Sequence, residues 1–230
     1  MQIRGLQKLT LLDFPERLAC TVFLGGCNFR CPFCHNASLV MRPSECEEIS
    51  EEELFSFLEG RRGKLAGVCI TGGEPTLYPT LPTFISKIRA LGFAIKLDTN
   101  GTNPEMLASL IDSGMLDYVA MDIKSSREAY ATVAGVPTLD IQKIEESVQI
   151  LLSGRVDYEF RTTVVKPYHS VEDIRKIGQW IKGAKKYFLQ SFVDSGDLIS
   201  DEVSGFSEPE MHKMLDAARE NVPEASLRGV

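Results

Sequence analysis

Residues 19–36, ACTVFLGGCNFRCPFCHN, join a short apolar run to a loop carrying Cys27, Cys31 and Cys34 at the spacing C-x3-C-x2-C, with His35 directly after the last cysteine. The six residues before the loop have the β-branched, aromatic and apolar character of a buried strand. Five further runs share it: GVCIT (67–71), FAIKLD (93–98), YVAMDI (118–123), YEFRTTVV (158–165) and KYFLQSF (186–192). Between them lie stretches of helical period: one opened by the capping pattern at Ser50–Glu53, then residues 81–91, 105–113, 141–152, 171–181 and 207–218. Strand and helix alternate, which calls for right-handed crossovers and a parallel sheet.

The expected fold is therefore α/β. Periodicity leaves open whether six such units build an open doubly wound sheet or a partial barrel. Either way, ligand-binding groups belong at the C-terminal ends of the strands. The sequence obeys that rule. The cysteine loop follows the first run, Gly72-Gly73-Glu74-Pro75 the second, Asp98-Thr99-Asn100-Gly101 the third and Asp122-Ile123-Lys124 the fourth. Arg161 lies within the fifth and Gln190 near the end of the sixth.

Composition narrows the class. The chain has 230 residues, 43% of them hydrophobic, and a formal charge of −7. The acidic balance argues against a general nucleic-acid surface, where a basic stripe is expected. No apolar run approaches the roughly 18 residues of a membrane span. The N-terminus lacks a signal-peptide layout, since Asp13 and basic residues interrupt it. The expectation is a cytoplasmic protein with reduced cysteines and no membrane partner. No linker or low-complexity tract divides it, so one domain is expected over residues 1–230, with 1–18 as an extension leading into the first strand.

Four chemistries compete for the cysteines. Haem attachment fits Cys31-Pro-Phe-Cys34-His35 but needs export and leaves Cys27 idle. Dithiol exchange also leaves Cys27 idle. A structural zinc site, with His35 as a fourth ligand, usually draws on two separated knuckles, and no second C-x-x-C exists. Three thiolates on an iron–sulfur cluster would leave one iron open, as a catalytic centre requires. Cys20, Cys46 and Cys69 are scattered and read as small buried hydrophobes.

C-x3-C-x2-C after the first strand, with TGGEP after the second, closely resembles the radical S-adenosylmethionine superfamily. GCNFRCPFCHN, LDTNG and MDIK resemble its glycyl-radical-enzyme activating enzymes. The N-terminal TLLDFPERLACTVFLGGCNFRCPFCHN is most similar to the activating proteins of anaerobic ribonucleoside-triphosphate reductase.

This resemblance implies a partial (β/α)6 TIM-like barrel and one [4Fe-4S] cluster on Cys27, Cys31 and Cys34. It implies that the cluster cleaves S-adenosylmethionine reductively to a 5′-deoxyadenosyl radical, which abstracts hydrogen from a glycine of a glycyl-radical enzyme. Flavodoxin or ferredoxin would supply the electron. The cofactor would meet Phe33, Gly72, Gly73, Glu74, Asp98, Asn100, Asp122, Lys124, Arg161 and Gln190.

Each residue also has a plainer role available. Phe33 suits a core, Asn100-Gly101 a turn, Asp122–Lys124 a structural pair, and Arg161 an ion pair with Glu159. His169 and His212 read as solvated. Related activases of pyruvate formate-lyase carry histidine near the end of the last strand, a place that here reads Leu189-Gln190-Ser191-Phe192. That branch, and small-molecule radical enzymes such as deazapurine-pathway synthases, are the alternatives. No long C-terminal extension that would close over a small substrate is expected.

Overall fold

One eight-stranded sheet organises residues 1–229, the part of the chain that the computed structural model describes. The strands are β1 (Ile3–Thr10), β2 (Ala19–Leu24), β3 (Gly67–Gly72), β4 (Ala94–Thr99), β5 (Tyr118–Asp122), β6 (Asp157–Val164), β7 (Tyr187–Ser191) and β8 (Ser226–Arg228). They lie in chain order, β2 to β8 all parallel and β1 antiparallel to β2. β1 and β8 form the two edges, so the sheet is an open, partial barrel.

The six expected strands are present within about one residue, but the sheet has two more. Residues 1–18 are not merely an extension, since Ile3–Thr10 forms the antiparallel edge. Its middle residues face solvent, so it carries no apolar run to betray it. β8 has only three residues, too few for a periodic signal.

The helices are α1 (Ala37–Met41), α2 (Glu51–Glu59), α3 (Leu81–Ala90), α4 (Pro104–Asp112), α5 (Tyr130–Val133), α6 (Ile141–Leu152), α7 (Val171–Trp180) and α8 (Glu208–Arg219). Ser50 and Glu53 close the expected capping box at α2. Short α1 and α5 went unforeseen, because neither is long enough to show a period.

Alternation along the strands sorts side chains onto two faces. Ile95, Leu97, Val119, Met121 and Phe160 join the helices' apolar stripes in one buried cluster. Their neighbours Lys96, Asp98, Asp122 and Arg161 share the other face, the inside of the curl, as their ion pairs with one another show, and Glu159, two residues before Arg161 on β6, pairs with Arg228. The inside is thus polar, although the six runs read from the sequence as buried strands.

Phe14, 1% exposed, closes the floor of the curl. Its ring packs on Tyr118 at the start of β5 with centroids 6.3 Å apart. A Cβ on Gly67, at the start of β3, would lie 2.7 Å from that ring, so glycine is needed there.

Candidate functional site

The inside of the curl and the loops above it enclose a cavity of about 360 Å³. Every residue singled out from the sequence lines it: Cys27, Cys31, Phe33, Cys34, Gly72, Gly73, Glu74, Asp98, Asn100, Asp122, Lys124, Arg161 and Gln190. Asp13, Thr21, Phe29 and Thr163 also line it without having been marked by the sequence as site residues, and so does His35, weighed there only as a haem or zinc ligand.

The cysteine loop is held by backbone contacts. Gly26 takes a positive φ of 80° and donates its N–H to Leu39 O at 2.8 Å. Glu74 N–H donates to Gly26 O, and Gly73 N–H to Leu24 O, each at 2.8 Å. A Cβ on Gly73 would stand 1.8 Å from Gly26 O, and one on Gly72 2.4 Å from Leu24 N and O. The two glycines therefore let the end of β3 lie against the loop. That contact is a reason for them independent of any ligand.

From the other side, Arg30 N–H donates to Ala134 O at 2.8 Å, and Gly135, with φ 66°, leaves room for Arg30 O. Above, Asp197 accepts from Ser38 N–H at 3.1 Å and from Ser38 Oγ at 2.7 Å, while Ser200 N–H donates to Pro32 O at 2.9 Å. The segment between β7 and α8 thus forms part of the rim. No local pattern marks this, because these contacts join residues 159 or more positions apart.

Glu74 has no exposure at all. Its carboxylate accepts from Thr76 N–H at 3.0 Å, Thr99 Oγ1 at 2.8 Å and Asn100 N–H at 2.6 Å. Burial pushes its pKa up, against the pull of these donors. Glu74 ties the ends of β3 and β4 together.

Across the inner face runs a chain of alternating charge. Lys96 meets Asp98, Asp98 meets Arg161 at 3.0 Å, Arg161 meets Asp122 at 2.9 Å and Asp122 meets Lys124 at 3.0 Å. Burial opposes ionisation of both aspartates, yet Arg161 with Lys96 or Lys124 holds each below the usual carboxylate range. Burial likewise opposes the charge on Lys124, but Asp122 raises its pKa. The row itself holds three cations and two carboxylates, and the carboxyl groups of Asp13 and Glu74 line the same cavity.

The plainer pairing of Arg161 with Glu159 is not found. Glu159 accepts from Tyr118 Oη at 3.1 Å and Arg228 at 3.0 Å, because the two residues lie at different heights of the curl. His169 is not solvated either. It is 5% exposed, with Nε2 at 2.8 Å from Lys124 O and its ring edge-on to Phe33. His212 is exposed, as expected.

Removing the guanidinium fork should show how far the charged chain depends on it. R161M leaves Asp98 and Asp122 short of a cation and is expected to lose about 3–5 kcal/mol of stability. R161K should not restore it, since one ammonium cannot bridge both carboxylates. The two aspartates have lowered pKa values, so their contribution is present above the unfolded value of about 4 and fades as pH falls further. Urea unfolding should therefore show the full deficit at pH 7 and a smaller one below pH 4. An unchanged urea midpoint at pH 7 would contradict the assignment.

All six cysteines are free. Cys20 and Cys69 are fully buried within strands, whereas Cys46 is partly exposed. Burial pushes the Cys27 thiol up to about 11 and that of Cys31 up to about 12, and it raises Cys34 too. A metal must therefore displace protons to bind here. Among the described residues no three Cys, His, Asp or Glu side chains converge on a point that could hold one ion. His35 instead stacks on Phe192, rings 5.3 Å apart. Three thiols lining one cavity suit a cluster with one thiolate to each of three irons, whereas a structural zinc takes four ligands.

Comparison with known proteins agrees with this geometry. The radical SAM superfamily profile matches residues 21–181, and the chain belongs to that superfamily. Its members use a [4Fe-4S] cluster and S-adenosylmethionine, and the chain is accordingly an enzyme. A protein of Methanocaldococcus jannaschii, provisionally named a glycyl-radical enzyme activating enzyme, is 30% identical over 224 residues, covering 94% of this chain and 90% of its own. The 7-carboxy-7-deazaguanine synthase of Methanopyrus kandleri is 24% identical over 225 residues, 85% and 84% of the two chains. Among solved structures, a domain of pyruvate-formate lyase-activating enzyme from Bacteroides vulgatus shares the fold. Its TM-score is 0.58 at 17% identity, over 71% of this chain and 99% of that one.

Proposed function

We propose that the chain activates a glycyl-radical enzyme by removing a hydrogen atom from a backbone glycine of that partner, and that the partner is an anaerobic ribonucleoside-triphosphate reductase. The observation that carries this reading is the nearly end-to-end likeness to the Methanocaldococcus jannaschii protein, with the cysteine loop and the charged cavity wall in one site. The sequence resemblance to the reductase activators supports the choice of partner.

Bound together, the cluster and S-adenosylmethionine supply a carbon-centred radical able to take a hydrogen atom. The chain's own residues orient and enclose. Cys27, Cys31 and Cys34 would hold three irons. Lys124 and Arg161 would offer positive charge to the cofactor's carboxylate, and Gly72, Gly73 and Glu74 would shape the backbone that meets its amino group. Phe33, Asp98, Asn100, Asp122 and Gln190 would complete the cofactor's surroundings and keep water out. The gap between β1 and β8 suits entry of a glycine loop from a folded partner. In this reading the whole chain acts as one domain in the cytoplasm, takes its electron from a flavodoxin or ferredoxin, and meets neither nucleic acid nor membrane. Among the described residues no helix is long and apolar enough to cross a bilayer.

A second reading has its own support. The deazaguanine synthase aligns over most of both chains, and residues near Asp197 and Ser200 cover part of the rim, as a small substrate would require. One experiment separates the two. The reconstituted protein, cofactor, reductant and a co-encoded glycyl-radical protein should give a doublet in electron paramagnetic resonance, collapsing to a singlet when the partner's glycine is deuterated at Cα. Cofactor turnover indifferent to such partners but stimulated by a purine or pterin would favour the second reading.

A further inference from the structure

The side chain of Asn100 can adopt one orientation only. Its Oδ1 accepts from Thr102 N–H at 3.0 Å and from Thr102 Oγ1 at 2.7 Å. A backbone N–H can only donate, so the atom facing it must be the amide oxygen. The Nδ2 group is thereby turned the other way, donating to Asn28 Oδ1 at 2.9 Å, with Cys27 Sγ at 3.8 Å. Asn28 closes the ring by donating from Nδ2 to Thr102 Oγ1 at 2.9 Å. Beneath it, Asn100 N–H is anchored on buried Glu74.

The three cysteines are therefore not equivalent. Cys27 Sγ receives N–H donors from Phe29, at 3.3 Å, and from Asn100, besides lying 3.9 Å from the acceptor Asn28 Oδ1. Cys31 Sγ instead lies 3.9 Å from Ala134 O, an acceptor.

We propose that Asn100 is a positioning residue for Cys27, aiming an amide N–H at the ligating sulfur so that the reduced cluster is stabilised and its reduction potential raised. One-electron reduction adds negative charge that spreads onto the sulfurs, and hydrogen bonds to sulfur are among the levers that set cluster potentials. The electron itself comes from an external low-potential reductant. This role needs no S-adenosylmethionine, which separates it from the cofactor contact expected of Asn100. It rests on cluster binding but not on the identity of the substrate.

The test is a redox titration of the reconstituted protein without S-adenosylmethionine, followed by electron paramagnetic resonance of the reduced cluster. At a fixed potential, N100L should lower the ratio of reduced to oxidised cluster by about 2- to 10-fold, the equilibrium worth of one modest hydrogen bond. Its iron content should match that of the unaltered protein. An unshifted midpoint in iron-loaded N100L would overturn the proposal, as would an effect confined to cofactor binding. If N100L fails to load iron, N100D decides, since it keeps the shape and the bonds from Thr102. In deuterium oxide, N100D should lose one exchangeable deuteron coupled to the reduced cluster. The same set of couplings as in the unaltered protein would overturn the proposal.

Discussion

Alanine at Cys27, Cys31 or Cys34 is expected to abolish cluster assembly, whereas alanine at Cys20, Cys46 or Cys69 should leave it intact. After anaerobic reconstitution, the unaltered protein and the second group should hold about four irons and four sulfides per chain and show a brown chromophore. The first group should retain little of either. The difference follows from place. Cys27, Cys31 and Cys34 line the cavity, whereas Cys20 and Cys69 have no exposure within their strands and Cys46 does not line it. The cost of burying Cys20 and Cys69 is offset by packing, so their loss should appear as about 1–3 kcal/mol of stability rather than as lost iron. Full iron loading in any of the first three variants, or tightly held zinc with no chromophore, would remove the cluster assignment.

The second large effect is expected from a single methyl group. G73A would put a Cβ 1.8 Å from Gly26 O, and the nearest atoms there are all backbone. No side-chain rotation can relieve such a clash, so either the end of β3 or the cysteine loop must move. Both outcomes separate Gly73 N–H from Leu24 O and Glu74 N–H from Gly26 O, the bonds that hold the loop to the sheet. Iron loading should fall at least tenfold. G60A is the control: Gly60 sits at the end of α2 with a helical φ of −67°, and an added Cβ would meet only ordinary contacts from 3.5 Å. It should load iron normally and melt within about 0.5 kcal/mol of the unaltered protein. Equal iron in both variants would show that the contact between Gly73 and Gly26 does not hold the loop.

G135A probes the opposite side of the loop by the same logic, with a Cβ 2.3 Å from Arg30 O. Sequence reading singled out Gly73 but passed over Gly135. Gly73 lies in a local pattern, TGGEP, whereas nothing around Gly135 marks it as the support of a loop a hundred residues earlier.

Local order in the chain determined much of this protein. The alternation of strand and helix dictated a parallel sheet, because each crossover must bury an apolar stripe on a strand. Strand ends then had to gather the cysteine loop, GGEP, LDTNG and MDIK on one rim, because parallel strands all finish on the same side. The period of two placed Asp122 and Lys124 together, and the fold keeps them so.

Tertiary structure alone decided who meets whom. Arg161 pairs with Asp98 and Asp122 rather than Glu159, since partners across a sheet are set by register and height, and register is a property of neighbouring strands. His169, apparently a solvated residue at the start of a helix, is buried against the Lys124 carbonyl because the loop after β6 folds over the strand ends. Asn28, Thr102, Ala134 and Asp197 gain their roles only through loops that meet in space. Ordinary polar residues leave no periodic trace in a sequence, so the rim's composition could be read from the chain but its hydrogen-bonded connections could not.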